Sequence, residues 1–207
     1  MFLYSSLNII MNLILSLSLI SMQGKWEKKT VTDDGIVIYT REYPGTNVRE
    51  IKAVCKIKAS PLKVFNVVLD RNTFSDLNKY LVEYKRIRTE KENVWYVYQR
   101  VSVPLVKDRD YTHRYEATRD TVKNKYFLTW QIDNRNGPPP IEDVIRIEVS
   151  RGRLTISPDK NGNHSILIYQ MLFDPGGSIP KWIVNLANRY TLPKVLRTIR
   201  EKSLNQH

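Results

Sequence analysis

One long amphipathic stretch near the carboxyl end, from Asp174 to Glu201, constrains the fold most strongly. It opens with Asp-Pro-Gly-Gly turn chemistry, after which Ser178 can cap a helix and Pro180 can occupy its first turn. Apolar residues then recur at helical spacing, which predicts one broad apolar face. These residues are Ile179, Trp182, Ile183, Leu186, Tyr190 and Pro193. Such a helix must lie on other elements, and Pro193 should kink it because proline removes a backbone hydrogen bond.

The segments before this helix show strand patterns separated by turns. Residues 35–43 and 48–58 have strand character, and charged and apolar side chains alternate in the second. Ser60 and Pro61 predict the start of a short helix, and a second short helix is expected from about residue 71 to residue 80. Strand patterns resume over residues 82–173. The predicted order is strands, two short helices, further strands and one long helix.

The amino-terminal 24 residues contain no Lys, Arg, Asp or Glu, and the composition changes abruptly at Lys25. The apolar run over residues 13–20 is typical of the central region of a secretory signal. We therefore interpret residues 1–24 as a signal peptide or apolar leader and residues 25–207 as one domain. The expected location is outside the cytoplasm, periplasmic or secreted. The alternative is that the leader is retained as a membrane anchor.

The net charge of +12 favours anionic partners, either nucleic acid or an acidic membrane surface. A basic surface that binds nothing explains the charge equally well. The Lys and Arg residues are dispersed along the chain and form neither a basic tail nor a recognition helix. We therefore expect transient contact with an anionic membrane and no nucleic-acid partner.

The sequence shows no established catalytic or metal-binding pattern. Only one of the three histidines, His113, lies inside a predicted strand, and Cys55 is the sole cysteine. Metal-ligand spacings, a Gly-x-Ser-x-Gly elbow and a glycine-rich phosphate loop are all missing. Gly176 and Gly177 could seat an anion at a helix start, although a turn alone also explains them. We expect no metal and no cofactor.

Three short motifs occur in an order that resembles one known family. They are Val103–Tyr111 (VPLVKDRDY), Val144–Arg146 (VIR) and Asp174–Asn185 (DPGGSIPKWIVN). With the early Trp26, the Asp34-Gly35-Ile36 turn and the Ser60-Pro61 helix start, they resemble the START family of lipid-binding domains. The resemblance covers about residues 25–204.

The resemblance implies an α+β helix-grip fold, in which a curved antiparallel sheet wraps around a long C-terminal helix and two short helices follow the first strands. It also implies a hydrophobic tunnel for one lipid, gated by the terminal helix and by Pro104, Leu105 and Val106. The expected function is noncatalytic binding and transfer of a lipid or other hydrophobic small molecule by a monomer. The alternative is a cyclase- or aromatase-like enzyme of the same fold, with His113 between Tyr111 and Tyr115 acting on a polyketide.

Strand periodicity predicts which side chains face the tunnel. In the strand that begins at Arg109, the less charged face also carries Tyr111, His113 and Tyr115, and Gln99 shares the inner face of the preceding strand. The remaining predicted ligand-binding residues are Arg146 and, on the terminal helix, Trp182, Ile183, Leu186 and Tyr190.

The charge of the predicted site favours a neutral or weakly polar ligand. Many START domains carry an acid near the position of Gln99 and an arginine at the position of Tyr115, and both are uncharged here. A buried phosphodiester without a cation would be costly, and only Arg109 and Arg146 are nearby strand arginines. The alternative is that Gln99 and Tyr115 only fill the core.

Basic residues beside the gate are expected to contact the membrane, because exposed cations are attracted to anionic lipids. The predicted residues are Lys107, Lys181, Arg189, Lys194 and Arg197.

Overall fold

A computed structural model describes residues 24–44, 48–70, 73, 80–162, 164–177 and 192–205. Its strands are β1 (Glu27–Val31), β2 (Val37–Glu42), β3 (Arg49–Ile57), β4 (Leu81–Lys91), β5 (Val94–Val101), β6 (Arg109–Asp120), β7 (Lys125–Ile132), β8 (Ile145–Arg146), β9 (Val149–Pro158) and β10 (Ser165–Asp174). Its α-helices are α1 (Pro61–Leu69) and α2 (Leu192–Asn205), and a 3-10 turn spans Asn134–Asn136. The leader, the second short helix and residues 178–191 of the predicted terminal helix lie largely or wholly outside these ranges.

The strands form one sheet in the order β1-β2-β3-β10-β9-β7-β6-β5-β4, with antiparallel neighbours along this path. The short β8 lies off the path and pairs in parallel with β6. The last strand, β10, therefore lies between β3 and β9. This sheet and the C-terminal helix confirm the predicted α+β architecture.

Helix α1 starts where the sequence predicted. Ser60 Oγ accepts a hydrogen bond from the Lys63 N–H at 3.4 Å, and Pro61 occupies the first helical position. Val64 and Val67 on its inner face are fully buried. The helix thereby packs against α2 and the inner face of the sheet.

Helix α2 buries Leu196 and Ile199 completely, and it packs on α1 and β3. Pro193 is buried and lies in the part of the helix that the structure describes, whereas the residues before Leu192, where a kink would show, lie outside the described ranges. Within the described ranges, the structure contains no helix with both the length and the apolar character needed to cross a membrane.

Candidate ligand-binding cavity

A cavity of about 330 Å³ lies between the inner face of the sheet and the helices α1 and α2. All the strands from β4 to β10 except β8 contribute to its wall. Its described lining consists of Val68, Leu69, Asp70, Leu81, Tyr84, Arg86, Trp95, Val97, Gln99, Tyr111, His113, Tyr115, Leu128, Trp130, Ser150, Leu154, Tyr169, Met171, Phe173 and Val195. The strand periodicity therefore predicted correctly that Gln99, Tyr111, His113 and Tyr115 share one side of the sheet.

The sheet side of the cavity is mainly aromatic. Trp95 stacks on Tyr115 with ring centroids 5.7 Å apart and planes 7° apart. Tyr115 in turn contacts Trp130 at 6.3 Å, and Trp130 contacts Tyr169 at 5.3 Å. Aromatic rings lose little conformational entropy on packing, since few torsions fix them. These contacts therefore link four aromatic rings that belong to β5, β6, β7 and β10.

His113 is buried in this wall and its polar atoms are satisfied by neighbours. Its Nε2 lies 2.8 Å from Ser150 Oγ, and its Nδ1 lies 3.5 Å from the Tyr115 hydroxyl. Burial lowers the pKa of His113 to about 3, because the charged imidazolium would be desolvated. At neutral pH His113 is therefore uncharged and presents no cation to a ligand.

Three tyrosines of the cavity, Tyr111, Tyr115 and Tyr169, remain protonated at physiological pH. Burial raises the pKa of Tyr111, Tyr115 and Tyr169, since a phenolate would lose its hydration. Their hydroxyls can donate hydrogen bonds to a ligand oxygen. Gln99 is also buried and supplies an amide to the same side of the cavity.

Arg86 brings a cation to the cavity that the sequence analysis missed. Its guanidinium lies over the Trp95 ring, 4.9 Å from the centroid, and it lines the cavity together with Tyr84. Tyr84 and Arg86 are two positions apart in β4, so strand alternation could have predicted that they share the cavity face. The β4–β5 register shifts between Arg86 and Arg88, which breaks the alternation beyond that point.

The structure corrects the prediction that Arg146 binds ligand. Its Nε and Nη2 donate to the buried carboxylate of Asp110 at 2.8 and 2.9 Å, and its remaining bonds reach the carbonyls of Pro138 and Pro139. Tyr98 also donates to Asp110, at 3.0 Å. Asp110 and Tyr98 alternate with the cavity residues, so this cluster lies on the outer side of the sheet.

Arg109 is likewise absent from the described cavity lining. It is buried, and its Nη1 donates to the Lys107 carbonyl. The sequence analysis named Arg109 and Arg146 as the nearby strand arginines, and among the described residues the arginine that lines the cavity is Arg86.

The predicted gate residues Pro104, Leu105 and Val106 lie in the loop that joins β5 to β6. Leu105 is 94% exposed and has a φ of 70°, in the left-handed region that costs a residue with a Cβ roughly 1–2 kcal/mol. An apolar side chain is therefore presented to solvent at an unfavourable backbone position. The predicted helix residues Trp182, Ile183, Leu186 and Tyr190 lie outside the described residues.

Of the predicted membrane contacts, Lys107 and Lys194 are exposed. Lys107 forms a surface ion pair with Asp143 at 2.8 Å. Arg197 is exposed as well, and its guanidinium binds Asp34. All three stay predicted membrane contacts, whereas Lys181 and Arg189 lie outside the described residues.

Comparison with known proteins identifies the family. The START domain profile matches residues 12–207. The chain belongs to the START domain family. Its START-domain match begins inside the segment that we interpret as a leader, and the leader itself stays a prediction.

Individual relatives of this START domain agree with that assignment. The mouse phosphatidylcholine transfer protein is 27% identical over 182 residues, which cover 86% of this chain and 83% of the relative. A STAR-related lipid transfer protein from Xanthomonas axonopodis superposes with a TM-score of 0.72 at 23% identity, covering 87% of this chain and 99% of the other. An aromatase/cyclase from a Streptomyces species is less similar, with a TM-score of 0.54 at 12% identity over 76% of this chain and 94% of the other. The family and fold predictions are confirmed, and the lipid-binding function fits this START domain better than the aromatase/cyclase alternative.

Proposed function

We propose that this START domain holds one lipid in the cavity and transfers it between membranes without changing it chemically. The observation that carries the proposal is the continuous cavity between the sheet and two helices in a chain of this family. Apolar side chains of α1, α2 and β7 line it together with the polar side chains of Arg86, Gln99 and His113. A lipid would place its chains against the first group and its polar part near the second.

Arg86 favours a ligand with an anionic oxygen group over the neutral ligand expected from the sequence. A guanidinium binds phosphate or carboxylate strongly in a site of low polarity, because its donors match both oxygens of the anion. The phosphatidylcholine transfer proteins among the relatives also favour a phosphate. The shared chemistry is a phosphate or carboxylate headgroup, supplied by a phospholipid or a fatty acid.

The test offers the delipidated protein vesicles that contain phosphatidylcholine, palmitic acid and cholesterol, and identifies the retained lipid by mass spectrometry. Arg86→Gln should lower retention of the lipids with a phosphate or carboxylate group, phosphatidylcholine and palmitic acid, about tenfold. This factor corresponds to the loss of one charge-assisted hydrogen bond. Cholesterol retention should not change. Arg88→Gln is the matched control, since Arg88 bonds Asn136 on the other side of the same strand. Equal retention by the wild type and the Arg86 variant would refute the proposed headgroup site.

A noncatalytic role is supported by the surroundings of His113. Its described contacts are Ser150 and two tyrosines, so no carboxylate among the described residues would stabilise an imidazolium. Recovery of a chemically altered ligand after incubation, abolished by His113→Gln, would instead establish the cyclase- or aromatase-like alternative.

Transient contact with an anionic membrane completes the proposed transfer cycle. Leu105 supplies an exposed apolar group, and Lys107 and Lys194 supply exposed cations. Each such cation contributes roughly 1 kcal/mol at an anionic surface. We further propose that the protein acts as a monomer and that residues 1–24 direct its export. Mass measurement of the mature protein and sedimentation at several concentrations test these two points.

A further inference from the structure

Gly152 in β9 and Trp130 in β7 are direct partners across two neighbouring strands. The indole ring lies against the bare Cα of the glycine. A Cβ added at residue 152 would lie 2.2 Å from ring atom Cζ2, 2.5 Å from Cε2 and 2.6 Å from the Gln170 carbonyl oxygen. A side chain can occupy this position only if both the ring and the Gln170 carbonyl shift, because real Cβ atoms do not approach other atoms so closely.

The surroundings of Trp130 determine where its ring would move. Tyr115 and Tyr169 contact the ring on the inner face of the sheet, with centroids 6.3 and 5.3 Å away. The sheet backbone lies behind the ring, and the cavity lies in front of it. Any larger residue at 152 would therefore push the indole into the space that a ligand needs.

We propose that Gly152 sets the size limit of the cavity by letting the Trp130 ring lie back against the sheet. This inference rests on the proposed function, since it concerns which ligands the same cavity accepts. Gly152 acts through Trp130 as a positioning residue, and Trp130 is the side chain that contacts the ligand. Trimming the indole should admit bulkier ligands, whereas a side chain at residue 152 should exclude them.

The expected change in ligand retention depends on the cavity volume, which is about 330 Å³. An indole displaced into the cavity would occupy a substantial share of that volume. Each methylene group that loses its buried contact weakens binding roughly fourfold. A bulky rigid ligand cannot bend away from the ring, but a single saturated chain can. The ratio of the two in the bound fraction is therefore the sensitive quantity.

The experiment offers delipidated protein an equimolar mixture of cholesterol and palmitic acid in phosphatidylcholine vesicles, and measures the retained ratio by mass spectrometry. Trp130→Leu should raise the cholesterol to palmitic acid ratio about tenfold or more. Gly152→Ala should lower the ratio, and adding Trp130→Leu to it should restore the high value. Phe127→Leu is the matched control, because Phe127 lies on the outer face of the same strand beneath Arg153 and should leave the ratio unchanged.

Trp130→Leu and its control decide the question even if Gly152→Ala fails to fold because of the Gln170 carbonyl. An unchanged ratio in Trp130→Leu, with the wild type retaining both probes, would overturn the size limit and leave the proposed function intact. Retention of no lipid by the folded wild type would overturn both.

Discussion

Arg197 in α2 and Asp34 in the turn between β1 and β2 form a two-point ion pair across 163 positions of sequence, with nitrogen–oxygen distances of 3.1 and 2.9 Å. Arg200 binds the same carboxylate at 2.9 Å and donates to Cys55 Sγ at 2.9 Å. One acidic residue therefore fastens the last turns of the terminal helix to the first hairpin.

Replacing Asp34 by Asn should loosen this attachment. The pair is partly exposed, so we expect a loss of only about 1 kcal/mol and a fall in Tm of roughly 2–4 °C. Thermal unfolding in low salt provides the measurement. Asp33→Asn, in the same turn, is the control and should have a smaller effect.

The pH dependence of this attachment has a definite sign. The hydrogen bond from Arg197 holds the pKa of Asp34 well below its ordinary value. The stabilisation is thus fully present above about pH 4 and is lost as the pH falls further. A difference between wild type and Asp34→Asn that vanished already at pH 6 would contradict the assignment.

His113 should make the fold sensitive to mild acid. Its folded pKa of about 3 lies below the ordinary value of about 6.5, so the unfolded chain binds the proton between these values. The contribution of His113 to the free energy of unfolding is fully present above about pH 6.5. Between pH 7 and pH 5 this contribution should fall by about 2 kcal/mol. Urea unfolding of wild type and His113→Gln at both pH values measures the difference, and His164→Gln at the β9–β10 hairpin is the control.

Arg146→Met should destabilise the protein without changing which lipid it holds. The substitution leaves Asp110, 1% exposed, with Tyr98 as its remaining described partner, and removing one member of a buried pair costs about 3–5 kcal/mol. Urea unfolding and the lipid-retention assay check the two halves of the prediction. The exposed Arg153→Met should cost about 0.5 kcal/mol. Altered lipid selectivity in a stable Arg146 variant would restore the original assignment of this arginine to the ligand site.

Leu105→Gly should separate stability from membrane binding. Glycine relieves the left-handed backbone but gains freedom when unfolded, so the two effects largely cancel and the change in unfolding free energy stays below about 1 kcal/mol. Binding to anionic vesicles should weaken about tenfold or more, because a leucine side chain is lost from the contact.

Val122 provides the matched control for that experiment. It is equally exposed, at 94%, but it lies in the β6–β7 turn at the opposite end of β6. Val122→Ala should leave vesicle sedimentation unchanged. Equal losses in both variants would show that general surface hydrophobicity, and not the β5–β6 loop, drives the binding.

Local patterns predicted much of the fold and part of the site. Ser60 and Pro61 marked the start of α1 because capping depends on neighbouring residues alone. An Asn-Gly dipeptide is typical of hairpin turns, and Gly162 in the connection between β9 and β10 has the positive φ that such a turn requires. Alternation in β6 placed Tyr111, His113 and Tyr115 on the cavity side, since a regular strand has a period of two.

Long-range contacts determined what the sequence did not predict. Arg146 belongs to a strand of only two residues, and its direction is set by Asp110 and by the carbonyls of Pro138 and Pro139. Arg197 has the spacing of an exposed helix residue, and only the fold brings it to Asp34. A short periodic signal contains no information about such partners.

The position of β10 between β3 and β9 also determines when the sheet can be completed during synthesis of the chain. Ser165 Oγ bonds the Ala59 carbonyl across 106 positions of sequence, and all of β3 pairs with this late strand or with β2. Such distant pairing closes a large loop and is slow. Synthesis must therefore pass Asp174 before β3 gains its second neighbour. Until then β1, β2 and β3 leave an open sheet edge to which a chaperone or a second nascent chain can bind.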